Sequence, residues 1–389
     1  METAALTAEQ LRASLPRTAF AFRGYNVTNL GRTPELLAHP SYRPVVRHAL
    51  QEASEVCSEA FGKRVDLVAR VRRRRETTLQ TYGEALALVM GAELAQLRLL
   101  REFFDIDFGD SPLCCGYSLG EITALVAGEV FDLSGALTVL LAMSRDAAAL
   151  ARDVTLGVVF SRGPGLDMVE LEKLCQRITQ QGRGTIAISS VLSPNSCLVL
   201  GQRKTVAALK QQLHDVLGPT AQLRENPDRW PPIHTPIVRQ RQIPDRAAVL
   251  LERIHCSLQP PKVPVVSLVT GTRAYTETNA RALARDWIDH RQQLWPVVCE
   301  LLRGPIDVVV HVGPEPNIIP ATFKRLSMNV ASQLNENSWS AWGLRTVSHI
   351  TRNRPWLRAM LSDETSLLRA PFVQHVVLED WLLANAPEA

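Results

Sequence analysis

The segment Pro112-Leu113-Cys114-Cys115-Gly116-Tyr117-Ser118-Leu119-Gly120-Glu121 constrains this chain more than any other. A short, mainly apolar run enters a turn in which a serine has a glycine two positions to either side, and an apolar helical pattern follows over 122–127. Glycines at 116 and 120 let neighbouring backbone pass without a Cβ clash while the serine is held on a strained strand-to-helix turn. Strand, tight turn and helix in that order is the unit of α/β architecture, and it lifts the Ser118 hydroxyl above the end of the strand. The free N–H groups of the first helical turn, notably that of Leu119, then point at any oxyanion formed beside the serine. Cys114 and Cys115 read as small core residues of the strand. Glu121 reads as an acid favoured at a helix N-terminus.

Around this unit the pattern predicts a larger α/β domain. Residues 18–22 form a short apolar strand that runs into Arg23-Gly24-Tyr25-Asn26, and a loop at a strand end is a usual place for a site. Over 81–104, Leu86, Met90, Leu94 and Leu97 recur at helical spacing, and a further helix is expected over 134–150. From 156 to 222 the pattern changes. Strands over 156–160, 185–191 and 196–201 alternate with helices over 168–180 and 204–217, which suggests a small split βαβ module inserted into the larger domain. Buried strands resume over 263–269 and 308–312, and the loop 313–317 after the last of them shapes a cleft. The resulting division is 1–155 and 226–330 for the large domain, 156–225 for the module, and 331–389 for an extension of unknown role. That extension holds Trp339, Trp342, Trp356 and Trp381, four of the seven tryptophans.

Composition narrows the function classes. With 46% apolar and 21% charged residues over 389 positions, the chain is that of an ordinary folded protein. Forty-three Lys+Arg against 39 Asp+Glu leave +4, too mild a charge for nucleic acid as default partner. No uninterrupted apolar stretch reaches the roughly 18 residues that span a bilayer. Glu2, Glu9 and Arg12 stand where a secretion signal would be apolar, so a cytoplasmic location is expected. Seven cysteines without a CxxC or a His-rich pairing argue against a disulfide framework and a zinc site.

A serine hydroxyl is a poor nucleophile at neutral pH and needs a base. Among nine histidines, His234 stands out in Pro231-Pro232-Ile233-His234-Thr235-Pro236, where prolines restrict the backbone and fix the ring. From these residues alone His234 is either that base or a histidine packed in a proline-rich turn.

Taken in order, Gly-x-Ser-Leu-Gly-Glu, Pro-x-x-His-Thr-Pro, Val269-Thr270-Gly271 and His311-Val312-Gly313-Pro314 resemble the malonyl-CoA:acyl-carrier-protein transacylase family and the acyltransferase domains of polyketide and fatty acid synthases. The resemblance runs from about residue 18 to 326. It implies an α/β fold with a hydrolase-like large domain around a parallel sheet and an inserted ferredoxin-like small subdomain. It makes Ser118 the acyl-accepting nucleophile and His234 its base, oriented by a backbone carbonyl from Gln293-Leu294-Trp295, with Gln293 and Leu294 the named candidates. Oxyanion donors would be the N–H groups of Leu119 and Tyr25. Expected substrates and partners are acyl-CoA, an acyl carrier protein and further synthase subunits, with no metal or redox cofactor.

Three departures stand out. The family's Phe-Pro-Gly-Gln-Gly is here Phe22-Arg23-Gly24-Tyr25-Asn26, and its histidine before the serine is Tyr117. Its carboxylate-binding arginine falls on Met143, which cannot replace a guanidinium fork. Arg145, two residues on, should face the opposite side of the helix. Met143, Tyr117 and Ile233 are therefore the expected acyl-pocket residues, and an uncharged acyl group is favoured, unless Met143 is only helix core or a register shift restores an arginine. Other open readings are a malonyl-specific enzyme, a serine thioesterase or esterase, and a non-catalytic scaffold. Arg70 and Arg72–Arg75 would meet an acidic carrier protein or form a solvated helix face.

Overall fold

The structure, a computed structural model, describes residues 6–336, 356–357 and 364–388. Strands β1 (Thr18–Phe22) and β2 (Leu113–Gly116) pair in parallel at the centre of a five-stranded sheet. Every residue of both is buried, as expected for near-continuous apolar runs covered on both faces. The small subdomain follows as β3 (Val154–Ser161), β4 (Ile186–Ser193), β5 (Ser196–Gln202) and β6 (Ala221–Glu225), with helices Met168–Gln180 and Thr205–Leu217 between them. The large sheet then resumes with β7 (Val265–Val266). After β8 (Gln292–Gln293), which joins the other sheet, come β9 (Val308–Val312) and β10 (Gln374–Val377). The large sheet runs β10-β9-β1-β2-β7, all parallel.

The small sheet runs β6-β3-β5-β4-β8. Its first four strands and two helices have the order and antiparallel pairing of a split βαβ, ferredoxin-like unit. Its core is separate, built from Leu171, Leu174, Ile178, Val199 and Leu209 among others. β8, however, comes from the second part of the large domain and pairs in parallel with β4 through Ser190 and Val191. The sequence division at 225 did not foresee that shared edge.

Two further expectations are revised. The apolar run 263–269 yields a strand of only two residues, because Ser267 to Gly271 fold into a hydrogen-bonded turn. Part of the segment from 331 is integral to the large domain: β10 forms the edge next to β9, and the helix Leu378–Ala384 packs with Trp381 against Phe104. Trp339 and Trp342 lie outside the described residues. The helix Leu133–Leu150 is the one described helix long and apolar enough to cross a membrane. Its Leu137, Leu140, Leu141, Met143 and Ala147 are buried in the large core.

Candidate active site

The strand-to-helix elbow at Ser118 is dictated by close packing. A Cβ on Gly116 would lie 2.1 Å from the carbonyl carbon and oxygen of Gly120, and one on Gly120 would lie 2.4 Å from the Phe22 carbonyl oxygen. Helix Leu119–Ala127 therefore crosses directly over β1 and β2, and Ser118 is held at φ 53°, ψ −115°. A non-glycine residue at positive φ costs about 1–3 kcal/mol and persists only where the surroundings enforce it. Ser118 is half-buried.

From the other side, His234 also has positive φ, 67°. Its backbone N–H donates to the Ile288 carbonyl at 2.7 Å, and Thr235 closes the loop by donating its hydroxyl to the Pro232 carbonyl at 2.7 Å. The result brings Ser118 Oγ within 2.7 Å of His234 Nε2 across 116 positions of sequence. His234 Nδ1 lies 2.6 Å from the Trp287 carbonyl oxygen. A carbonyl only accepts, so Nδ1 carries the proton and Nε2 is left to accept from the serine. Burial pulls the His234 pKa down to about 4, against the raising effect of the Trp287 bond. The ring is neutral at neutral pH, as a base must be.

The orienting carbonyl is thus that of Trp287, at the end of helix Ala280–Asp289, and not one from Gln293 or Leu294. Leu294 starts the next helix with its side chain in the core, and the Gln293 N–H donates to the Leu268 carbonyl at 2.6 Å. Trp287 does more: its indole N–H donates to the Ser118 carbonyl at 2.9 Å, and its ring stands edge-on to His234 at 5.0 Å. Gln292, on β8, is the other residue the sequence did not single out. Its Oε1 accepts the Ser118 N–H at 3.3 Å, and its amide nitrogen lies 3.2 Å from His234 Nδ1, where two donors meet in simple contact.

The N–H groups of Leu119 and Tyr25 make no hydrogen bond among the described residues. The β1 loop approaches the elbow closely, since a Cβ on Gly24 would lie 3.4 Å from that of Ser118. The Tyr25 ring stands edge-on to Tyr82 at 4.8 Å and to Trp230 at 6.0 Å, an aromatic group beside the histidine loop. Tyr117 and Ile233 are buried, Tyr117 in the core under the sheet and Ile233 in the main core. Met143, 3% exposed, lines an apolar cavity of about 20 Å³ with Ile122, Leu140, Trp287 and Ile288. Arg145 is exposed on another face, over the Phe61 ring at 5.4 Å. A cleft of about 510 Å³ runs from His234 along Thr179, Ile186, Ile188 and Arg291, between the small subdomain and the histidine loop.

Glu121 does not serve its own helix terminus. Its carboxyl accepts from the Leu268 N–H at 3.0 Å and the Tyr275 hydroxyl at 2.7 Å, pinning the turn after β7, while burial pushes its pKa up to about 7. Arg70 is committed to Glu84 and to the Glu76 carbonyl. Arg72 to Arg75 are exposed, and Arg74 pairs with Glu35 at 3.1 Å.

No family model matches the chain. It is 25% identical over 305 residues to a phenolphthiocerol/phthiocerol polyketide synthase polypeptide of Mycobacterium tuberculosis, covering 77% of this chain and 18% of that protein. The chain thus spans less than a fifth of the length of the curated relatives it matches. Among solved structures it superposes on the malonyl-CoA:acyl carrier protein transacylase of Xanthomonas oryzae pv. oryzae with a TM-score of 0.64 and 22% identity, covering 80% of this chain and 91% of that one. It also matches a malonyl-transacylase solved in complex with its type II polyketide synthase acyl-carrier protein, with a TM-score of 0.61 and 20% identity, covering 79% and 92%. The chain has the fold of these transacylases.

Proposed function

We propose that this protein is an acyltransferase that moves an acyl group from an acyl-CoA thioester, through an ester on Ser118, to the thiol of an acyl carrier protein in fatty acid or polyketide synthesis. The observation that carries the reading is the 2.7 Å approach of Ser118 Oγ to a His234 ring whose other nitrogen is held by a backbone carbonyl. Nε2 takes the serine proton as Oγ attacks the thioester carbonyl. The tetrahedral oxyanion lies at the free N–H groups of Leu119 and Tyr25. The C–S bond breaks, the CoA thiolate takes the proton from His234, and the acyl ester remains on Ser118. Carrier-protein thiol then gives its proton to His234, attacks the ester, and leaves with the acyl group while the serine is reprotonated.

The solved transacylase–carrier complex and the polyketide synthase relative support the choice of acceptor. An uncharged acyl group is favoured. Met143 lies among apolar side chains, and Arg145 points elsewhere. Arg291 is paired with Glu172 at 3.0 Å. A malonyl carboxylate in such surroundings would be desolvated without a partner, which costs several kcal/mol. Intact-protein mass spectrometry after exposure to acetyl-, longer acyl- and malonyl-CoA tests the reading. An ester adduct from the uncharged donors, absent in Ser118→Ala and passed on to a carrier thiol, is expected. Adduct loss to water with no carrier product would reject the transferase.

A further inference from the structure

Arg23 occupies the place of proline in the Phe-Pro-Gly-Gln-Gly pattern, two residues before Tyr25. Only 3% exposed, it is built into the loop from all sides. Its Nε donates to the Gly24 carbonyl at 2.8 Å. One terminal nitrogen donates to the Thr28 carbonyl at 3.1 Å and to Asn29 Oδ1 at 3.2 Å, and the other to the Pro314 carbonyl. Its own N–H is shared between the Val312 carbonyl at 3.1 Å and Glu93 Oε1 at 2.9 Å. Room for its stem exists because residue 313 is glycine at φ 108°, where a Cβ would come within 2.5 Å of Arg23 Cγ. Burial lowers its pKa, and Glu93, Glu379, Glu315 and Glu76 oppose that.

The Gly24 carbonyl and the Tyr25 N–H are opposite ends of one planar trans peptide, so fixing the direction of one fixes the other. A charge-assisted bond at the oxygen also polarises the amide and strengthens its N–H as a donor. That N–H has no other partner among the described residues, and its loop lies against Ser118. We propose that Arg23 is a positioning residue that aims the Gly24–Tyr25 peptide at the oxyanion, replacing the φ restraint of proline by a grip on the carbonyl. This rests on the acyl-transfer reading above.

The test measures single-turnover acylation of Ser118 by acetyl-CoA in the parent chain, Arg23→Lys and Arg23→Gln. Inhibition is measured alongside by an acetyl-CoA analogue carrying a trifluoromethyl ketone, whose serine adduct bears the oxyanion. Arg23→Gln should acylate about 10- to 100-fold more slowly, less than the 10²–10³-fold loss seen when an oxyanion donor is removed outright. Arg23→Lys should fall between, with KM for acetyl-CoA unchanged and the inhibition constant rising by the same factor as the rate falls. A folded variant that acylates at the parent rate overturns the proposal. So does a rate loss without weaker ketone binding, or failure of both variants to fold by near-ultraviolet circular dichroism. A parent chain that acquires no acyl mass instead sinks the acyl-transfer reading itself, and this proposal with it.

Discussion

At the scale of single residues, protonation of His234 sets the first expectation. Its pKa lies near 4 because burial penalises the imidazolium, and only the neutral ring accepts the Ser118 proton. Single-turnover acylation should therefore lose its His234-dependent component only as pH falls through about 4. A histidine limb near 6.5 would show that the ring is solvated in the working enzyme. Replacing His234 with alanine should slow acylation by about 10²–10⁴. Met143→Arg puts a guanidinium beside Trp287 and Ile288, and the folded fraction should form malonyl adduct at a higher ratio to acetyl adduct than the parent. An unchanged ratio would remove Met143 from the pocket. Ser118 was legible because its flanking glycines announce a strained turn, while the prolines around His234 left it open and only the family resemblance made it the base. The Trp287 carbonyl was not legible, since every residue carries a carbonyl and only the fold decides which one meets Nδ1. Gln292 was hidden for the same reason: its glutamine becomes informative only once β8 lies beside the elbow.

Among the elements, the elbow makes the sharpest claim. Gly116→Ala forces a Cβ into the Gly120 peptide, so it should cost about 3 kcal/mol or more in urea unfolding, or leave no folded protein. Gly128→Ala is the contrast. It has an ordinary φ of −82° and its nearest neighbour is 3.1 Å away, so it should change stability by about 1 kcal/mol or less. Equal effects at the two sites would mean that the turn does not need its glycine. Apolar runs and the period left by a buried face made β1 to β5, β9 and the helices near 82–104, 133–150, 168–180 and 205–217 readable, whereas β6, β10 and the long helix Arg43–Phe61 were not foreseen. The strand expected over 263–269 shrank to the two residues of β7, while β8, equally short, leaves no period and was found only by its pairing. That is why the small subdomain looked self-contained until β8 joined it.

For the molecule as a whole, Glu93, Glu121 and Glu379 are buried carboxyls whose pKa values burial raises to about 8, 7 and 7. Each binds its proton more tightly folded than unfolded. Their contribution to stability is complete below about 4.5 and is lost as pH rises through 7 to 8. His234 and His375, lowered to about 4 by burial, act oppositely and only below about 6.5, so the alkaline side isolates the carboxyls. The melting temperature should fall from about pH 6.5 to 8, and Glu93→Gln should flatten that fall. Parallel profiles for variant and parent would place the Glu93 proton elsewhere.

The edge strand β10 and the Glu379 carboxylate behind it have a consequence for biosynthesis. Glu379 accepts the backbone N–H groups of Arg32 and Glu315 at 2.7 Å each, and so staples the loop after β1 to the loop after β9. On the ribosome both loops emerge long before the staple does. Until residues 374–384 have emerged, β9 presents bare main chain to other nascent strands, and the loop after β1 beside the serine awaits Glu379, which closes it.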